Sequence, residues 1–336
     1  MRQNEEGPLG KGPLTGTATT ANDGTTGAEN ESVEPEISSA NGFGARSKKL
    51  TPKQAWLAKI DDAIIAAVAE DSPVTLRGVF YRVVSARAVD KTENGYRLIG
   101  RQLVKLRRSG RVAYADITDG TRWITKPTTW TGIDEMLADA ASSYRRALWH
   151  DTDDEVMVFT EKDAISGVIL PVTEAWDVPL GVLRGYCSES FAHSVAQSII
   201  NSNVRRTGTT YVYQLGDHDP SGVGAWDDFT RKVTAFIGAD RPDIEDWVRF
   251  ERLAVTPEQI AAYGLPTRPT KTKDPRAKGF GGGSVEVDAI RASTLRQIVS
   301  DAITQHIDQD AYEVQMIAER SEREIFSRMI GGASDG

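Results

Sequence analysis

Three carboxylates stand where metal ligands or proton carriers would be useful. Glu161 ends the apolar run "EVMVFTE" (155–161), and Asp217 and Asp219 follow the apolar run "TTYVYQLG" (209–216) within "YQLGDHDPSGVGAW". Clustered carboxylates repel one another and stay ionised most easily around a hard divalent cation. Magnesium suits two or three of them, together with waters and a phosphate oxygen. His218, between the two aspartates, points away from both in an extended chain. A plainer reading stands beside this one, in which Asp219 or Ser221 caps the helix that follows. One aspartate can cap while the other binds metal, so both readings stay open. A lone Asp-x-Asp also marks phosphatase sites, but there the nucleophilic aspartate lies on the first strand, where this chain has Glu161-Lys162.

The acids converge only if the runs they end become neighbouring strands. After the run at 155–161 a helical stretch reaches Trp176, and "VPLGVL" (178–183) reads as a second strand. A helix over about 189–204, the strand 209–216, a helix over about 221–237 and the strand "WVRFERLAV" (247–255) follow. Strands alternating with helices predict an α/β fold, with a mostly parallel sheet flanked by helices and ligands at the carboxyl ends of the strands.

Upstream the rhythm differs. Residues 52–70 carry apolar side chains at 56, 57, 60, 64, 65 and 68, the spacing of a helix. "VTLRGVFYRVVSA" (74–86) predicts a second short helix capped by Thr75, and "YRLIGRQLVKLRR" (96–108) a third. On the third, Ile99, Leu103 and Leu106 share one face, while Arg97, Arg101, Lys105 and Arg108 share another. "RVAYADITDGTRWI" then predicts a β-hairpin turning at Asp119-Gly120. Three helices and a hairpin make a winged-helix pattern, whose third helix enters the major groove of DNA. A small helical domain with a merely solvated basic stripe is the alternative. Four units are expected: a disordered tail (1–48), poor in apolar side chains; a winged-helix DNA-binding domain (49–127); a connecting helix (128–152, with its helical core over 128–150); and a metal-binding α/β domain (153–330). The tail's "GPLGKGPLTGT" lacks the spacing of a phosphate loop.

The 336 residues carry a net charge of −8, which on its own argues against nucleic acid. Distribution matters more than the sum. Ten Lys/Arg lie between Arg77 and Arg111 against Asp90 and Glu93 alone, so that segment is +8 (10 − 2) inside an acidic chain. The single cysteine, Cys187, excludes a disulfide framework and a cysteine-based zinc site and fits a reducing cytoplasm. No apolar run is long enough to span a membrane and no signal-peptide core is visible, so a cytoplasmic, nucleoid-associated protein is expected.

"FTEKDAISGVI", "RGYCSES" and "YQLGDHDPSG" together resemble the Toprim domain, in the version found in the A subunit of topoisomerase VI and its meiotic double-strand-break relatives. The later "VEVDAI" is similar to a recurring segment in the tail of these proteins, and the likeness spans about residues 52–310. Upstream, Arg77, Gly78, Val79, Phe80 and Tyr81 match the family's R-x-x-[FY]-Y motif in a winged helix of the catabolite-activator type. The resemblance implies that Tyr81 attacks a phosphodiester of duplex DNA, leaving a 5′-phosphotyrosine. Arg77, one helical turn earlier, would stabilise the developing charge. Glu161 would act as metal ligand or general acid/base, and Asp217 and Asp219 would hold magnesium. A tyrosine with a pKa near ~10 needs help to lose its proton. The resemblance further implies a homodimer in which one subunit's tyrosine meets its partner's metal site, with a separate GHKL-type ATPase B subunit for ATP-driven strand passage. Lys271, Lys273 and Lys278, in the Pro/Gly-rich stretch 264–284, are candidate phosphate contacts or part of a plain surface connection. Two alternatives stay open: a Toprim nuclease that cuts by metal-activated water, with Tyr81 a core aromatic, and a non-catalytic DNA-binding protein of the same fold.

Overall fold

The computed structural model describes residues 51–118, 126–203, 207–269 and 283–333. The expected tail, the Asp119-Gly120 turn and Lys271, Lys273 and Lys278 lie outside these residues.

Three helices open the described chain. Helix α1 (Pro52–Asp71) starts at a capping box, with the Thr51 hydroxyl accepting from the Gln54 N–H and the Gln54 carboxamide accepting from the Thr51 N–H. Helix α2 (Leu76–Ser85) is capped by Thr75, and α3 (Glu93–Arg108) by Thr92. Ile60, Ile64, Val79, Ile99 and Leu103 pack among them. The next stretch departs from the expected hairpin. Tyr114–Asp116 form a 3-10 turn, and Ile117 makes one isolated parallel bridge to Val74. Asp116 accounts for this, because its carboxylate accepts from both the Ala113 N–H and the Ser72 hydroxyl and holds the chain in a turn.

Helix α4 spans Ile133–Ser143, shorter than the helix expected over 128–150. The hydroxyls of Ser142 and Ser143 bond back to the Asp139 carbonyl, and the next residues turn to other elements. Tyr144 donates to Glu322, Arg145 donates to the carbonyls of Glu174 and Ala175, and the Arg146 N–H reaches Glu319.

The α/β expectation holds. Strands β1 (Glu155–Thr160), β2 (Leu180–Val182), β3 (Thr210–Leu215) and β4 (Val248–Ala254) form one parallel sheet in the order β2-β1-β3-β4. Between them run α5 (Asp163–Ala175), α6 (Glu189–Asn203) and α7 (Pro220–Asp240). Helices α8 (Pro257–Ala262), α9 (Ala292–Thr304) and α10 (Gln309–Ala333) follow β4.

Side-chain alternation along β1 divides the interior into two layers. Val156 and Val158 face a core built from α5, α9 and the N-terminal helices, through Ile165, Ile169, Leu295 and Val79. Met157 and Phe159 face a second core with Ile199 of α6 and Phe229 and Val233 of α7. The first core is continuous from α1 to the sheet, so the basic N-terminal helices and the acid-bearing sheet are packed as one body. Among the described residues, no helix is long and apolar enough to cross a membrane.

Candidate functional site

The carboxyl ends of β1 and β3 lie side by side. The register pairs Thr160 with Leu215, which brings the next residues of both strands level. The Glu161 N–H donates to the Leu215 carbonyl, and the Glu161 carboxylate accepts from the Asp217 N–H, both at 2.9 Å. A Cβ on Gly216 or Gly222 would lie 2.9 or 2.8 Å from the Glu161 Oε2, so both glycines leave the space that this carboxylate fills. Burial, then the charges of Asp217 and Asp219, push the Glu161 carboxyl above its ordinary range.

Asp217 is buried. Its Oδ1 accepts from the Val287 N–H at 3.0 Å and from the Lys162 ammonium at 2.8 Å. Asp219 caps α7, its Oδ1 accepting from the Gly222 N–H at 2.8 Å. His218 exchanges backbone hydrogen bonds with Val285 in an isolated antiparallel bridge.

Several neighbours were not singled out from the sequence. Lys162 lies 3.2 Å from Asp288 and 3.9 Å from Glu286, as well as against Asp217. Burial works to lower its pKa, but Asp288 and Asp217 more than offset that, and the ammonium is held above its ordinary range. Arg252 of β4 donates to the Asp217 carbonyl, while its Nε and Nη1 are buried without a protein partner. Burial pulls this guanidinium below its usual range, against the opposing pull of Glu161, Asp217 and Asp219. The two acids of "VEVDAI", Glu286 and Asp288, were the one visible signal, and the structure places them at the start of a 3-10 turn over Val287–Ala289. Nothing in "WVRFERLAV" marked Arg252 as an inward-facing cation.

The carboxylates meet a metal's requirements in type but not in arrangement. Among the described residues, no group of three or more His, Cys, Asp or Glu side chains is placed to hold a metal ion. The Lys162 ammonium pairs with Oδ1 of Asp217, and Oδ1 of Asp219 caps the N-terminus of α7.

Tyr81 lies on the buried side of α2, 3% exposed. Its hydroxyl accepts from Arg268 at 3.0 Å. Arg268 pairs with Glu286, and so does Arg77. The Lys91 ammonium sits 5.1 Å from the Tyr81 ring centroid and donates to the Pro266 carbonyl at 2.9 Å. A cavity of about 220 Å³ opens here, its walls including Arg77, Tyr81, Lys91, Tyr96, Arg268 and Glu286. Tyr81 and the acids are thus linked indirectly within one chain, through Arg268, Glu286, Lys162 and Asp217. Arg97, Arg101, Lys105 and Arg108 are all exposed on α3, outside this cavity. Arg97 is partly neutralised by Glu93 at 3.3 Å.

No known protein-family model matches the chain, and no curated protein matches it.

Proposed function

We propose that the chain is a DNA-cleaving transesterase similar to the A subunit of a type IIB topoisomerase, with Tyr81 as the nucleophile. The observation that carries this reading is the hydrogen-bonded and ionic link from the Tyr81 hydroxyl to the Glu161–Asp217 cluster. A structural tyrosine needs neither a cationic cavity beside its hydroxyl nor a connection to crowded carboxylates.

In this mechanism the Tyr81 oxygen attacks phosphorus and loses its proton. The bond to the 3′ oxygen breaks, and that oxygen takes up a proton. The products are a 5′-phosphotyrosine and a free 3′-hydroxyl, and the reverse attack reseals the strand. Arg268, which donates to the hydroxyl, and Arg77, in the wall of the same cavity, stabilise the charge that develops on the phosphoryl oxygens. Glu161, whose carboxyl is pushed above its ordinary range by burial and by the charges of Asp217 and Asp219, is the group of this cluster suited to exchange the proton. A divalent ion at Asp217 would compete with the Lys162 ammonium for Oδ1. The winged-helix assignment of α1–α3, the exposed Arg97, Arg101, Lys105 and Arg108 as the duplex contact, the homodimer and a separate GHKL-type ATPase belong to the same proposal.

The test is to incubate the protein with supercoiled plasmid, with and without magnesium, denature it, and assay for protein covalently attached to DNA 5′ ends. Wild type forms the adduct, and Tyr81→Phe abolishes it while remaining folded. An adduct that persists in Tyr81→Phe overturns the tyrosine assignment. Cleavage without an adduct replaces the reading with a hydrolytic Toprim nuclease. Duplex binding without any cleavage replaces it with a non-catalytic DNA-binding protein.

A further inference from the structure

We propose that the cavity beside Tyr81 is a phosphate-binding pocket formed by Arg77, Lys91 and Arg268, and that Glu286 is the internal anion that holds its arginines until a phosphate displaces it. The three cations come from separate parts of the chain: Arg77 from α2, Lys91 from the α2–α3 connection, and Arg268 from the segment after α8. Two carboxylates also line the cavity, and one of them, Glu93, is engaged with Arg97 on α3. Glu286 therefore faces a local excess of positive charge. Burial first, and then the nearby Arg268, lower the pKa of Lys91.

The exposures give the pocket a direction. The Arg77 and Arg268 side chains are 42% and 50% exposed, whereas Glu286 is 13% exposed. The cations stand at the mouth and the carboxylate lies at the floor, so an anion arriving from solvent meets the guanidinium groups first. A phosphate offers more acceptor oxygens than a carboxylate and matches the planar donors of two arginines. When Glu286 yields them it is not stranded, because the Lys162 ammonium lies 3.9 Å behind it. Arg77 is also held over the Tyr96 ring at 5.7 Å, which keeps one donor group in place during the exchange.

The charges and distances carry the pocket by themselves. Its assignment to a phosphodiester of DNA rests on the transesterase reading. The experiment is calorimetric titration of the full chain with inorganic phosphate and, separately, with a short DNA duplex. Glu286→Gln is expected to bind phosphate about five- to tenfold tighter than wild type, the size of one charge-assisted hydrogen bond no longer contested. Glu286→Asp, which keeps the charge but shortens the reach, should also tighten binding, and it serves if the glutamine variant fails to fold. Glu93→Gln, which removes a charge from the same cavity wall, should change affinity by less than about twofold at this solvated position. Lys91→Met and Arg268→Met should each weaken phosphate binding by about fivefold or more, and Arg268→Lys should lose less. Absence of phosphate binding in wild type and Glu286→Gln alike, or equal tightening by Glu93→Gln and Glu286→Gln, overturns the proposal. The same ordering with duplex supports a nucleic-acid phosphodiester as occupant. The ordering with inorganic phosphate alone supports the pocket with free phosphate as its ligand. Phosphate binding as described, with no DNA adduct in the plasmid assay, overturns the transesterase reading and leaves the pocket standing.

Discussion

Lys162 holds its position between carboxylates from two distant stretches of the chain, Asp217 after β3 and Glu286 and Asp288 before α9. Asp288 has a side chain only 1% exposed and also accepts from the Thr75 hydroxyl at 2.7 Å. Removing the ammonium leaves two buried negative charges with less compensation, which typically costs about 3–5 kcal/mol for a broken buried pair. Lys162 is itself 26% exposed, so the lower end of that range is expected for Lys162→Met. Denaturant unfolding measures it, and Lys162→Met/Asp288→Asn should recover part of the loss. The same variant tests the metal expectation, because magnesium should raise the melting temperature of Lys162→Met more than that of wild type. Equal responses would remove Lys162 as the obstacle to a cation. The sequence showed Glu161, Asp217 and Asp219 as acids at strand ends. It left Asp219 open between ligand and cap, and the structure places it as the cap of α7. That choice depends on where the Gly222 N–H points, which only a folded helix terminus fixes.

At the scale of elements, adjacency of β1 and β3 turns two separate acidic turns into one cluster. Both strands were legible because apolar runs between helical stretches have few other solutions in a parallel sheet. Their order was not, since hydrophobic pattern specifies a buried strand but not its neighbour. Within the first arm expected of the hairpin after α3, Tyr114–Asp116 form a 3-10 turn because the side chain of Asp116 competes for the backbone, an effect that strand patterning does not register. Between the sheet and α9, the Tyr213 hydroxyl meets the His306 Nε2 at 2.7 Å, and the His306 Nδ1 lies 3.7 Å from Asp154. The Tyr211 ring packs on the imidazole, and Gln305 donates to the Tyr213 hydroxyl. Burial lowers the His306 pKa despite the opposing charges of Asp154 and Glu251. A folded-state pKa below the unfolded value, near ~6.5, means that the unfolded chain binds protons first as pH falls. The contribution of His306 to stability is therefore complete above about pH 6.5 and declines as pH drops through the folded pKa. His306→Gln should flatten that part of the profile in urea titrations between about pH 7 and 5. An unchanged slope would assign the acid sensitivity elsewhere.

At the scale of the molecule, the net charge of −8 and the basic segment 77–111 belong to one packed body. The exposed face of α3 keeps its cations in solvent, while Arg77 and Lys91 of the same segment turn inward to the cavity beside Tyr81. If the exposed face meets DNA as proposed, Arg101→Gln/Lys105→Gln should weaken duplex binding and reduce the slope of log affinity against log salt by about 2, close to one counterion per phosphate contact. Fluorescence anisotropy across a salt series reads this directly, and an unchanged slope would remove α3 from the interface.

The sequence by itself determined the α/β class, the helices and strands with clear periodicity, the exposed basic stripe of α3 and the identity of the acids at two strand ends. These are local properties, set by side-chain spacing of two or three to four residues and by the chemistry of adjacent positions. Only the tertiary structure decided that Lys162, Arg252, Glu286 and Asp288 share the acids' surroundings, that Asp219 is a cap, and that Tyr81 sits under Arg268 rather than in a purely apolar core. Each of these depends on contacts between residues far apart in the chain. Their energies come from charges and hydrogen-bonding groups that meet only in the folded chain, which no local pattern encodes.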